Sequence, residues 1–146
     1  GVEDRVLIGA HSIKIEMDKR VDEVNSSDFD MIVLPGGLPN AFTLADDNDV
    51  QRLLKEFEEK NKKIGAICAA PYALHKAGVL NQNYTCYPSF EKKIKDDGYQ
   101  DDKNVVTDNN VITSRGPATA IDFALEIVKT LKGDDIYFQV KTGLLA

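Results

Sequence analysis

Lys63-Ile64-Gly65-Ala66-Ile67-Cys68-Ala69-Ala70-Pro71-Tyr72-Ala73-Leu74 is the stretch that decides the fold. An apolar strand, Lys63 to Ile67, gives way at Cys68 to a helix beginning Ala69-Ala70-Pro71. Such a strand-to-helix turn is a nucleophile elbow. It holds one side chain out over the ends of the sheet, and the following helix presents free backbone N–H groups and the positive end of its dipole. A thiol in that setting is pushed toward thiolate, the form that attacks electrophiles and is oxidised.

Outward from the elbow, short β-rich runs alternate with helical periods, as a parallel sheet covered by helices requires. Phe29 to Pro35 carries the apolar run Met31-Ile32-Val33-Leu34, suited to a strand buried on both faces, and ends at Pro35-Gly36-Gly37. Asp49 to Asn61 reads as a helix with Val50, Leu53, Leu54 and Phe57 on one face. Pro71 to Ala77 is the elbow helix, Tyr84 to Tyr87 a strand, and Phe90 to Asp97 a charged helix or loop. Val105-Val106-Thr107 and Val111-Ile112-Thr113 flank the hairpin signal Asp108-Asn109-Asn110. Thr113-Ser114-Arg115-Gly116-Pro117 leads into a long helix with Ala120, Phe123, Ala124, Ile127, Val128 and Leu131 inward, stopped by Gly133. At the other end, Arg5 to Ala10 and Ile13 to Met17 read as a peripheral hairpin.

The 146 residues, 42% hydrophobic and 29% charged, make one domain, 1–146. A net charge of −6 with no basic run excludes a nucleic-acid surface, so small molecules or proteins are the expected partners. No apolar stretch approaches the roughly 18 residues of a membrane span. Two cysteines, Cys68 and Cys86, offer neither a disulfide framework nor a metal spacing, which points to a reducing, cytoplasmic compartment with no metal and no cofactor.

Three motifs in order carry a family resemblance: Leu34-Pro35-Gly36-Gly37, then Ala66-Ile67-Cys68-Ala69-Ala70-Pro71, then Thr113-Ser114-Arg115-Gly116-Pro117-Ala118-Thr119 with Phe123 to Val128. The chain resembles the DJ-one/ThiJ/PfpI superfamily, most closely its parkinsonism-associated and bacterial ThiJ-like branch. The resemblance implies a flavodoxin-like (Rossmann-like) three-layer α/β sandwich with a mostly parallel sheet, usually homodimeric. It implies a reactive cysteine at Cys68, flanked by the backbone amides of Gly37 and Ala69 as oxyanion donors, with Gly36 and Tyr87 beside them. The implied activity is a cofactor-independent, cysteine-dependent glyoxalase and protein deglycase. Its substrates are methylglyoxal, related small reactive aldehydes, and their early protein or nucleotide adducts, in a role protective against oxidative stress. The alternative is a non-enzymatic redox sensor or chaperone that uses oxidation of Cys68.

Departures from the family pattern set further expectations. Family members carry a glutamate beside the cysteine on the first strand of a βαβ unit, and that unit has no counterpart here. The chain is therefore expected to be an N-terminally truncated domain, with Gly1 not the native start. The strands following Asp28 and Ile64 are expected to lose a neighbour. Tyr87 stands where some relatives have a histidine, and a tyrosine is a poor base near neutral pH.

His75 lies seven residues past Cys68, about 10 Å along a helix, too far to pair with the thiol, and reads as a surface residue. His11 is either a polar turn residue or a group sent toward a partner subunit's pocket. Arg115 is a cap of the last helix loop or a substrate contact, the cap reading being preferred. Cys86 reads as structural, and Phe90 to Lys95 as a solvated amphipathic face. A PfpI-type peptidase would have a histidine directly after the nucleophile, where Ala69 stands. A class I glutamine amidotransferase would need a later His-x-Glu pair, which does not occur.

Overall fold

In a computed structural model the structure describes residues 6–94 and 97–146. An outlying hairpin, β1 (Val6–Ile8) and β2 (Lys14–Glu16), forms a two-stranded antiparallel sheet of its own. The main sheet has four strands: β3 (Met31–Leu34), β4 (Lys63–Ile67), β5 (Val105–Asp108) and β6 (Val111–Ser114). Their order is β3-β4-β6-β5, with β3, β4 and β6 parallel and β5 antiparallel to β6. Among the described residues the α-helices are α1 (Asn40–Asp46), α2 (Asn48–Glu59), α3 (Pro71–Ala77), α4 (Glu91–Ile94), α5 (Ala120–Lys132) and α6 (Asp134–Leu144).

The period of two along the strands assigns the layers. The register pairs Ile32 with Ile64 and Leu34 with Ala66, and these residues face a core completed by Leu44, Leu54, Phe57 and Leu74 from α1, α2 and α3. Between them Val33 pairs with Gly65 on the opposite face. A Cβ on Gly65 would lie 3.1 Å from the Phe123 ring and 2.9 Å from Met31, so glycine is what lets α5 settle on the sheet. The fold is thus the flavodoxin-like α/β sandwich expected from the motif order.

Helix limits follow local chemistry. The Asp47 carboxylate accepts from the Val50 N–H and caps α2, and Gly78, with φ 74°, ends α3 with its N–H donated back to His75 and Leu74 carbonyls. The loop entering β3 is anchored by a buried hydroxyl. Ser26, wholly inaccessible, donates to Glu56 (2.6 Å) and accepts from Lys60 Nζ (2.7 Å), while Lys62 Nζ donates to the Ser26 and Phe29 carbonyls.

Several expectations are corrected. Tyr84 to Tyr87 is not a strand: Tyr84 makes one isolated bridge to Tyr99, while the Thr85 N–H goes to the Thr113 hydroxyl and the Tyr87 N–H to the Cys68 carbonyl. Its backbone partners are scattered over Gly98 and Gln100, the Thr113 side chain and the elbow, not set in a ladder. The Phe90 to Lys95 stretch is not wholly solvated, because Phe90 and Ile94 are buried; Lys95 and Asp96 lie outside the described residues. Helix α5 buries Phe123 and Leu125, whereas Ala120, Ala124 and Leu131 are exposed, since it meets the sheet along one flank and α6 along another.

Strand β4 has neighbours on both sides, β3 and β6, which corrects the expectation that it lacks one. The β3 edge is open among the described residues, Val33 is 44% exposed, and a shallow apolar groove runs there past Phe29, Met31 and Val33. The expected hairpin is present, with its strands shorter than drawn; Arg5 lies outside the described residues.

Hydrogen bonds from Ser26 and then Arg52 hold the Glu56 carboxyl below the usual carboxylate range. A lowered carboxyl stabilises the fold above its unfolded titration and loses that effect as pH falls through its folded one. Ser26→Ala is therefore expected to lower the urea midpoint at pH 7, and the deficit relative to the parent should narrow as Glu56 protonates. Equal deficits at pH 7 and at acid pH would exclude the Ser26–Glu56 bond as the cause.

Candidate active site

Cys68 directly follows β4 at φ 65°, a left-handed conformation that costs a residue with a Cβ about 1–2 kcal/mol. Both of its peptide groups are tied down. Its N–H donates to the Ser114 carbonyl at 2.9 Å, and its carbonyl accepts from the Tyr87 N–H at 2.8 Å. The Ala70 N–H closes the turn onto the Ile67 carbonyl at 3.1 Å, and Pro71 then starts α3. The thiol is left half-buried and unpaired at the carboxyl ends of β3 and β4, the place where open α/β sheets bind ligands.

Gly36 packs against this turn. A Cβ there would fall 2.6 Å from Cys68 Cβ, 2.8 Å from the Ile67 carbonyl and 3.2 Å from Cys68 Sγ, so any side chain would displace the nucleophile. Gly37, at φ 93°, turns the chain into α1. The Asn40 side chain fixes the loop by donating to the Pro35 (3.1 Å) and Gly36 (3.0 Å) carbonyls. Among the described residues neither the Gly37 N–H nor the Ala69 N–H has an acceptor, although Ala69 is only 2% exposed. An unpaired buried amide is rare, and here it lies next to a thiol.

The third motif supports the elbow from beneath. Ser114 Oγ donates to the Asn104 carbonyl (2.9 Å) and shares a 2.6 Å bond with the Thr119 hydroxyl, which also accepts from the Gly116 N–H. The Tyr87 ring lies over Gly116, and Tyr87 is 48% exposed at the rim of the site.

Arg115 is half-buried near Tyr99, and its guanidinium has no partner among the described residues. Burial pushes the Tyr99 hydroxyl pKa up, as do Cys86 and Glu91, and Arg115 opposes them. Cys86 is fully buried, and burial followed by the Glu91 charge pushes its thiol up to about 12. That is the setting of an inert thiol.

Gly36, Cys68, Ala69 and Tyr87 thus meet in space, with Gly37 next along the loop from Gly36 and Arg115 one residue past the Ser114 carbonyl that holds Cys68. His11 does not join them: it is exposed in a 3₁₀ turn at the hairpin tip, at φ 62°. His75 is half-buried in the last turn of α3, not fully at the surface. Sequence reasoning passed over Asn40, whose position just after Pro39 at the start of α1 is its only local signal, and Phe42, Tyr72 and Phe90, three rings in the apolar cluster against which Cys68 also packs. Among the described residues no cluster of His, Cys, Asp and Glu could hold a metal ion, and no helix is long and apolar enough to cross a membrane.

The DJ-1/PfpI family model matches residues 1–130. The chain belongs to this family. It is 39% identical over 127 residues to the glutathione-independent glyoxalase DJR-1.2 of Caenorhabditis elegans, a match covering 86% of this chain and 68% of that one. The crystal structure of Drosophila melanogaster DJ-1beta superimposes with a TM-score of 0.91 at 40% identity, covering 97% of this chain and 77% of that one. The structure of oxidized Toxoplasma gondii DJ-1 superimposes equally well, at 0.91 and 28% identity, covering 98% and 78%.

Gly36→Ala is expected to cost about 1–3 kcal/mol of stability through forced displacement of the elbow. It should also change the rate at which iodoacetamide alkylates Cys68, with buried Cys86 remaining unlabelled as an internal control. Gly143→Ala, at a glycine in α6 with no positive φ and no atom near the added Cβ, should leave the alkylation rate close to the parent's. Equal alkylation rates in the parent and Gly36→Ala would remove the close-approach argument.

Proposed function

We propose that the protein is a cofactor-independent glyoxalase and protein deglycase acting through Cys68. The observation that carries this reading is a half-buried thiol held at positive φ next to the buried Ala69, whose N–H has no acceptor among the described residues, with the Gly36–Gly37 loop packed against it through Gly36. In this mechanism Cys68 Sγ adds to the aldehyde carbon of methylglyoxal, or of an early adduct. The carbonyl oxygen becomes the hemithioacetal oxyanion, and the two amides donate to it; losing one such donor typically slows acyl chemistry roughly 100-fold or more. Hydrogen transfer from the aldehyde carbon to the neighbouring ketone carbon then oxidises the first and reduces the second, leaving a thioester on Cys68. Water cleaves the thioester, releasing lactate and the thiol. The sum is methylglyoxal plus water to lactic acid, with no external oxidant or reductant.

The proton moved in the second step calls for a carboxylate. A further strand pairing with the open β3 edge, level with Cys68, would bring one there, and a helix following it would cover Val33 and the exposed flank of α5. The fly structure, of which the match leaves about a quarter uncovered, is consistent with such an addition. A second copy of the chain is the proposed partner of the hairpin, whose Val6, Ile8, Ile13 and Ile15 are each more than half exposed and which carries His11 at its tip. A reducing compartment such as the cytoplasm suits the two free thiols.

A second reading has its own support. Cys68 is accessible enough to be oxidised, Cys86 is not, and an oxidized form of a relative is known, so a redox sensor with a Cys68 sulfinate remains the competitor.

Two outcomes follow. The native protein incubated with methylglyoxal should release lactate, and Cys68→Ser should lower the rate at least 100-fold; equal release by both sinks the catalytic reading. Ile8→Asp together with Ile15→Asp should shift a dimer to monomer in sedimentation. An unchanged sedimentation coefficient would take the hairpin out of the interface.

A further inference from the structure

Three segments converge on Cys68: the Gly36–Gly37 loop, the elbow itself and the Tyr87 turn. Each is followed by one aromatic residue whose backbone is hydrogen-bonded to it. The Phe42 N–H donates to Pro39 (2.9 Å), the Tyr72 N–H to Ala69 (3.3 Å) and the Phe90 N–H to Tyr87 (3.0 Å). The three side chains then meet one another. Phe42 and Tyr72 are edge-to-face with centroids 5.7 Å apart, Phe42 and Phe90 are tilted at 6.0 Å, and Tyr72 and Phe90 close the triangle edge-to-face at 6.4 Å. Lys93 Nζ, from α4, lies 5.7 Å from the Phe42 centroid and adds a cation–π contact across the same junction.

The triangle belongs to the apolar cluster that includes Ala41, Ala69 and Cys86 and against which Cys68 packs; Tyr72 also touches the main core under the sheet.

We propose that Phe42, Tyr72 and Phe90 form an aromatic clamp that positions the Gly37 and Ala69 amides against Cys68. They are positioning residues, and the inference rests on the reading of Cys68 as nucleophile. The geometry explains why three rings are used. The β3–β4 ladder ends at Leu34 and Ala66, and among the described residues no backbone hydrogen bond joins the Gly37 loop to the elbow beyond it, so past that point their separation is set by packing. Edge-to-face pairs hold orientation as well as distance. A ring lost from any corner frees the loop bonded to it, and misplacement of donors by about 1 Å can cost on the order of 100-fold in rate.

The test compares Phe42→Leu, Tyr72→Leu and Tyr72→Phe in the native protein by amide hydrogen exchange and by turnover of methylglyoxal. The clamp predicts that Phe42→Leu or Tyr72→Leu speeds exchange in all three segments, 35–42, 66–72 and 86–91. It also predicts a fall in kcat of about tenfold or more with KM little changed, while alkylation of Cys68 by iodoacetamide, which develops no oxyanion, stays within about twofold. Tyr72→Phe, which keeps the ring, should recover both exchange and kcat relative to Tyr72→Leu. Exchange that rises only in the substituted residue's own segment overturns the clamp, as does an unchanged kcat. If the parent makes no lactate, the catalytic reading fails while the exchange pattern still decides the clamp.

Discussion

The pairing of β3 with β4 in parallel, with Leu34 opposite Ala66, is the constraint on which the site depends. It brings two strand ends level, so that the loop leaving one and the elbow leaving the other must share the same space. Gly36 is what makes that sharing feasible, because a side chain there would overlap Cys68. The β4–β6 pairing then places Ser114 opposite Ile67, which puts its carbonyl within reach of the Cys68 N–H. A strained residue persists when its surroundings over-determine it, and here hydrogen bonds from both sides hold the Cys68 peptide groups.

Most of the groups that shape this candidate site are backbone. The proposed oxyanion donors are amides, the loop is held by side-chain bonds to carbonyls, and the elbow is fixed by carbonyl contacts from Ser114 and to Tyr87. Preorganised amides stabilise developing charge without reorganising during reaction. The two thiols show how far environment divides one residue type: Cys68 is half-buried on a turn, whereas Cys86 is enclosed and held neutral by burial and the nearby Glu91 charge.

What was legible in the sequence was local. The elbow strand and helix, Lys63–Ile67 and Pro71–Ala77, have the limits read from pattern, because an apolar run and a proline mark them directly. The Asp108-Asn109-Asn110 turn and the stop at Gly133 were legible for the same reason. Tyr84 to Tyr87 was misread because its β-rich composition serves burial and bonds to Gly98, Gln100, Thr113 and the elbow, which only the tertiary arrangement reveals. The inward face of α5 was misassigned because its apolar period continues around a flank that the described residues leave uncovered. Helices α1 and α6 escaped notice, the first for its brevity and the second because it begins immediately beyond a glycine stop. Of the site, the three motifs named Gly36, Gly37, Cys68, Ala69 and Arg115 directly. Asn40 and the aromatic triangle could not be seen, since their meaning lies in contacts between segments.

The central claim is that Cys68 forms a covalent adduct with an aldehyde while the elbow amides hold its oxygen. The most direct measurement is carbon NMR of the native protein mixed with methylglyoxal carrying a ¹³C label at the aldehyde carbon. The account predicts a thio-substituted adduct resonance that is abolished when Cys68 has first been blocked with iodoacetamide. Label found only on arginine and lysine adducts, and unaltered by that block, would contradict it.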